Sequence, residues 1–276
     1  MATWLAVKAG DTEKSEGSTK MNALRCLIKV EHTRQSVWRR HWLLLLIVFT
    51  LTFTLYRLSP RNQIYDSAYS VLLSESLYRH GTFNLKAYLP GLQGQRIPYQ
   101  LTSPHPGTIY YWYPPGSTIL SIPLVALCNL FGVHAIGPAG YWNLVDEVKI
   151  QLFIAALLAA STVTLLCKLA LTYLPRLPAL TLTVVLALGT SFWSTASRAI
   201  WAQTWQTFLL TMALVLLVSQ RPRRTWFWAL LMGTLLAWMQ FVRPTSAISI
   251  IAIVIYTFTQ RPRTGFLLAA VGACWF

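Results

Sequence analysis

Charge is scarce in this sequence. Only 11% of its 276 residues are Asp, Glu, Lys or Arg, against about a quarter in an average soluble domain. So few charges cannot clothe a water-facing surface of this size, which excludes an ordinary soluble globular domain. Acid is scarcer still, with 8 Asp and Glu set against 23 Lys and Arg. Cysteine is almost missing. Cys26, Cys128, Cys167 and Cys274 share no metal-ligand spacing and three of them lie in apolar runs. They read as small buried hydrophobes rather than as zinc ligands or a disulfide framework. Nor do the first 40 residues read as a cleaved signal, because they are polar and basic and the first long apolar run begins only at Trp42.

What remains is apolar. Hydrophobic residues make up 55% of the chain and its mean hydropathy is +0.48. At about 20 residues per crossing helix there is room for six or seven transmembrane spans. The runs are Trp42–Leu58, Ile150–Leu174, Leu180–Ser194, Thr204–Ser219, Trp226–Val242 and Ala247–Thr259, with Gly265–Phe276 as a short seventh. The expected fold is therefore all-α and polytopic. Residues 1–40 form a cytoplasmic basic tail, disordered around Gly10–Lys20 and with a membrane-surface patch at Leu24–Val30. Residues 41–276 form the transmembrane domain.

The net charge of +15 does not point to nucleic acid. The basic residues form no single stripe but short clusters between apolar runs: Arg39-Arg40, Lys168 with Arg176, Arg221 with Arg223-Arg224, and Arg261 with Arg263. That is the pattern of cytoplasmic loops under the positive-inside rule, with anionic lipid as the partner. The same rule decides Pro114–Phe131, an apolar stretch interrupted by Pro114, Pro115, Gly116, Pro123 and Asn129. If it spanned, every later loop would flip and Arg221–Arg224 would fall opposite the tail. It is expected instead as a helix in the outer interface.

This arrangement leaves a loop over 59–149 outside the membrane, carrying Asp66, Glu75, His80, His105, Asp146 and Glu147. Arg198 and Arg243 fall on the same face, where spans meet the outer surface. Long loops of this kind are usually functional. Within it, Tyr69, Leu72, Leu73 and Leu77 make a helical apolar stripe, predicting an amphipathic surface helix over Asp66–His80 with Gly81 at its C-cap.

Two runs in this loop carry a resemblance. Tyr65-Asp66-Ser67-Ala68-Tyr69 continuing to His80-Gly81-Thr82-Phe83-Asn84-Leu85 resembles the opening of the first outer loop of GT-C glycosyltransferases. Tyr111-Trp112-Tyr113-Pro114-Pro115-Gly116, with a helix ending at Leu130-Phe131-Gly132, resembles a later stretch of that loop. Ser197-Arg198-Ala199-Ile200-Trp201-Ala202-Gln203 and Val242-Arg243-Pro244-Thr245 are similar to marks of bacterial members related to protein mannosyltransferases and lipid A aminoarabinose transferases. The resemblance covers residues 40 to 260.

It implies transfer of a sugar from a polyprenyl-phosphate donor to an acceptor on the periplasmic or luminal face of the inner membrane. Asp66 matches the position of the catalytic carboxylate. Many members carry a second acid beside it, where this chain has Ser67, which leaves a divalent metal open. The departing phosphate needs positive charge, which Arg198 and Arg243 would supply. His105, Tyr111, Tyr113 and Glu75 are candidate substrate contacts.

Each residue has a plainer role beside the functional one. Asp66 suits an N-cap, and the two arginines suit snorkelling anchors. His105 suits an ordinary loop, and Asp146-Glu147 a solvated helix start. Tyr110–Tyr113, Trp201 and Trp205 suit an interfacial aromatic belt. Two other functions stay open. A lipid or sugar flippase would place ionisable groups at mid-span. A non-catalytic relative would fit a chain that stops inside its seventh helix.

Overall fold

The computed structural model describes residues 41–59, 61–92, 96–219 and 225–275, which are mostly helical. The tail at 1–40 and the cluster at 221–224 lie outside the described residues. The helices are α1 (His41–Leu58), α2 (Ser70–His80), α3 (Gly116–Leu130), α4 (Leu144–Tyr173), α5 (Arg176–Leu188), α6 (Ala202–Val218), α7 (Thr225–Val242), α8 (Ala247–Gln260) and α9 (Pro262–Ala273). Of these, α1 and α4 are long and apolar enough to cross a membrane. The helices α3, α5, α6, α7 and α8 are apolar but shorter.

Local chemistry sets the boundaries. Asn143 caps α4, its side-chain oxygen accepting the Val145 and Asp146 amides at 3.1 and 3.3 Å. The helix therefore starts six residues before the apolar run that announces it. Lys168, assigned to a basic loop cluster, lies inside α4 and is buried. The run Leu180–Ser194 breaks at Gly189. There the Thr190 hydroxyl donates to Leu186 O at 2.6 Å and accepts the Phe192 amide at 3.3 Å, competing with the helix ladder. A π-wound turn over Phe192–Ala196 follows.

One core runs through the bundle, joining Val71, Val125, Ile150, Ile154, Trp205, Leu209, Met232 and Met239. A second lies in the layer formed by the long loop, around Leu72, Leu73, Leu85, Tyr88, Leu101, Ile109 and Ile136. The helix α2 sits between the two, so every residue from Ser70 to Ser76 is buried. This corrects the expected surface helix: Val71 faces one core and Leu72 and Leu73 the other, and exposure is confined to the last turn at Tyr78, Arg79 and His80. Gly81 does close α2, at φ 64° with its amide on Leu77 O.

Two features of the loop layer lie outside helical periodicity. A short hairpin pairs β1 (Leu101–Thr102) with β2 (Tyr110–Tyr111), opposing Leu101 to Tyr111. Glu75, fully buried on α2, accepts the Ala135 and Ile136 amides at 2.6 and 3.2 Å and pairs with Arg79 at 2.7 Å. This ties the segment after α3 back onto α2.

The stretch expected to lie in the outer interface becomes α3. It is 15 residues long and packs through Gly116, Ser117, Thr118, Ser121 and Val125. Its contact with α7 is backbone to backbone: a Cβ on Gly116 would meet Phe241 O at 2.5 Å. Large apolar side chains stay exposed elsewhere, including Trp42, Leu46 and Leu51 on α1 and Ile248, Ile251 and Ile255 on α8. Soluble monomers rarely leave so much apolar surface uncovered.

Alanine in place of a helical glycine ordinarily stabilises by about 0.5–1 kcal/mol. Gly116→Ala should do the reverse, costing about 1–3 kcal/mol because α3 and α7 must part. Thermal unfolding in detergent reads the sign. A raised melting temperature would contradict the close approach.

Candidate active site at one end of the bundle

Asp66 lies in the turn that leads into α2 and is half-buried. It does not cap that helix. The N-cap is Tyr69, held at φ 71° with no side-chain capping bond. A left-handed non-glycine residue needs its surroundings to hold it, and two groups do so here. The Trp142 ring lies 4.4 Å from the Tyr69 ring, centroid to centroid. Glu147, on the first turn of α4, turns its carboxylate to the Tyr69 and Val71 amides, in the place a local cap would take.

Glu147 is no solvated helix start. It is 0% exposed, and its carboxylate also takes the Trp142 indole N–H at 2.5 Å and the Gln151 amide at 2.9 Å. A buried carboxylate is tolerable only when donors surround it, and here four do. Its neighbour Asp146 points outward and pairs with Lys149 at 2.7 Å.

With capping delegated to Glu147, the Asp66 carboxylate is left to a ring of phenols. Tyr99 donates to Oδ1 at 3.0 Å and Tyr111 donates to the Asp66 backbone carbonyl at 2.7 Å, while the Tyr113 hydroxyl faces the same carboxylate. The hairpin brings them there: Tyr99 precedes β1, Tyr111 ends β2 and Tyr113 follows it. Gln100 adds a bond from its amide to Tyr65 O at 3.0 Å.

The phenols register this setting. The hydrogen bond to Asp66 is the main cause holding the Tyr99 hydroxyl above its ordinary range. Burial, then the bond to Asp66, pushes Tyr113 up to about 12. Burial and the Glu147 charge raise Tyr111 well above the usual phenol. All three are neutral donors at physiological pH. They present the carboxylate without neutralising it.

The arginines stand at the same end of the bundle. Arg198 follows the π-wound turn and is 4% exposed. Its Nε donates to Trp193 O at 2.9 Å and its guanidinium lies 4.6 Å from the Trp193 ring centroid. Its Nη1 is buried without a hydrogen-bond partner. Among the described residues no carboxylate pairs with it. Arg243, one residue beyond α7, is half-buried and meets Gln206 of α6 at 3.4 Å. The close approach of Gly116 to Phe241 and Val242 sets the end of α7, and Arg243 after it, at the start of α3.

The remaining candidates stand apart. His105 is exposed at the hairpin tip, its carbonyl accepting Ser103 Oγ and Thr108 Oγ1. Glu75 is occupied in tying the loop to α2. For a divalent metal, no three His, Cys, Asp or Glu side chains stand together among the described residues, and phenols surround Asp66. That donor set does not fit a hard cation, which takes several carboxylate or carbonyl oxygens.

Sequence does not single out Tyr99 or Gln151, and it reads Glu147 with Asp146 as a solvated helix start. For Glu147 and Gln151 a signal existed. They are four residues apart, on one face of α4 with Ile150 and Ile154, where a lipid-facing helix has no use for acid and amide. No family model, curated protein or solved structure matches the chain.

The raised Tyr113 phenol fixes a pH window. Its stabilising bond to Asp66 is complete below about 10, the unfolded value, and is lost as pH rises through about 12. In a spectrophotometric titration, Asp66→Asn should move part of the late tyrosinate absorbance down towards 10. An unchanged titration would remove Asp66 from the phenol ring.

Proposed function

We propose that this chain is a membrane glycosyltransferase of the GT-C kind. It moves a sugar from a polyprenyl-phosphate donor to an acceptor on the outer face of the inner membrane. The observation that carries the reading is the state of Asp66: a carboxylate released from helix capping, presented by neutral phenols, at the bundle end that also holds two arginines. In this reading six or seven helices span the bilayer with the N-terminus in the cytoplasm. The two long apolar helices and the exposed apolar faces of α1 and α8 support it.

The reaction follows from the groups. Asp66 takes the proton from the acceptor hydroxyl as its oxygen attacks the anomeric carbon. The bond from that carbon to the phosphate oxygen breaks, and its electron pair leaves on the polyprenyl phosphate. Attack opposite the leaving group inverts the anomeric centre. Arg243, half-open and, among the described residues, uncommitted to any carboxylate, meets the growing negative charge, with Arg198 behind it. Tyr99 and Tyr113 hold the carboxylate in place. Glu75 acts as a structural anchor, and His105 sits at the hairpin tip where an acceptor would approach. The products are the glycosylated acceptor and free polyprenyl phosphate.

Membranes containing the chain are given radiolabelled polyprenyl-phosphate mannose and polyprenyl-phosphate aminoarabinose. The wild type should move label to acceptor and Asp66→Asn should not. Loss of a charge-assisted bond costs about 1.5–3 kcal/mol, so Arg243→Ala should raise the donor KM by about ten-fold or more. A folded wild type that transfers neither sugar, or an Asp66→Asn protein that transfers as well, would sink the proposal.

A further inference from the structure

One buried amide touches both halves of the site. Gln151, on α4 and 0% exposed, sits one turn beyond Glu147. Its Nε2 donates to Ser67 O at 2.8 Å and to Glu147 Oε1 at 2.9 Å. Its Oε1 accepts the Ile200 amide at 3.3 Å. Ser67 is the neighbour of Asp66, and Ile200 is two residues from Arg198. Both donor hydrogens and the carbonyl oxygen are thus used, in three directions, by groups with no other reason to meet.

Each of the two segments it joins has its own local bonds, but little ties one to the other. The turn from Tyr65 to Tyr69 belongs to no regular element, and neither does the stretch from Ser197 to Trp201. Among the described residues, the backbone hydrogen bond between these stretches is a long one, from the amide of Gln63, just ahead of the turn, to Arg198 O at 3.4 Å. The helix α4, by contrast, is rigid over 30 residues and packed in the main core through Ile150 and Ile154. A side chain on its first turns refers both loops to one frame.

We infer that Gln151 is a positioning residue. Through Ser67 and Ile200 it sets the place of the Asp66 carboxylate relative to the Arg198 loop, and touches neither donor nor acceptor itself. Its catalytic consequence rests on the glycosyltransferase reading; its structural consequence does not. An error of about 1 Å in the place of a catalytic group can cost about a hundred-fold in rate. Such a residue acts on kcat while donor binding, which draws on the lipid and on Arg243, stays as it was.

Two variants and two readouts test this. Gln151→Met keeps the volume and removes all three bonds. Gln151→Glu keeps an acceptor for Ile200 but turns a carboxylate towards the Ser67 carbonyl. With radiolabelled polyprenyl-phosphate mannose and aminoarabinose, both variants should lose about ten- to a hundred-fold in kcat with donor KM unchanged. In the alkaline titration both should bring late tyrosinate absorbance down towards 10, because Asp66 leaves Tyr99 and Tyr113. Wild-type kcat and an unshifted titration in either variant would overturn the inference. If the wild type transfers neither sugar, the glycosyltransferase reading fails. The titration then decides alone: a shift upholds the positioning role and no shift refutes it.

Discussion

The Glu147 carboxylate is the group on which the rest of the site depends. Removing a charge from water is costly unless donors replace the water. The chain surrounds this one with the Trp142 indole, the Gln151 amide and the backbone amides of Tyr69 and Val71. Each donor fixes something different. Trp142 brings the end of the long loop against Tyr69. The two backbone amides are orphans of the start of α2, so the carboxylate caps that helix in place of a local side chain. Gln151 passes the constraint on to Ser67 and Ile200. One buried acid thus orders a turn, a helix start and two loops.

The freedom of Asp66 follows from this. Asp at the head of a helix is normally spent on capping, and the residues 66–70 would allow it. Because Glu147 has taken that work, Asp66 keeps both oxygens for the phenols around it. The arginines divide in the same manner. Arg198 is largely absorbed by Trp193 and holds its own loop in shape, whereas Arg243 stands half-open beside the start of α3.

Much of this architecture was legible in the sequence, and the reason is periodicity. Long apolar runs locate α1, α6, α7 and α8 nearly to their ends and α4 at its C-terminal end, and Gly81 marks the close of α2 because its left-handed φ suits glycine. Asp66, Tyr111 and Tyr113 were named from a motif and do come together. What escaped depends on tertiary contact. An apolar stripe on α2 looks the same whether it faces lipid or a second protein layer. Asp146-Glu147 reads as an ordinary acidic helix start until Trp142 folds over one of the pair. Tyr99 reaches Asp66 only because a two-residue hairpin brings it round, and so short a pairing leaves no alternating pattern.

The division of labour between Glu147 and Asp66 is the centre of this account, and hydrogen exchange at the start of α2 tests it most directly. The amides of Tyr69 and Val71 are compared in the wild type, Asp66→Asn and Glu147→Ala, all in detergent. Protection should persist in Asp66→Asn and collapse in Glu147→Ala, with exchange at the far end of α2 little changed. Collapse in Asp66→Asn, or protection intact in Glu147→Ala, would mean that Asp66 caps the helix after all and is not free for chemistry.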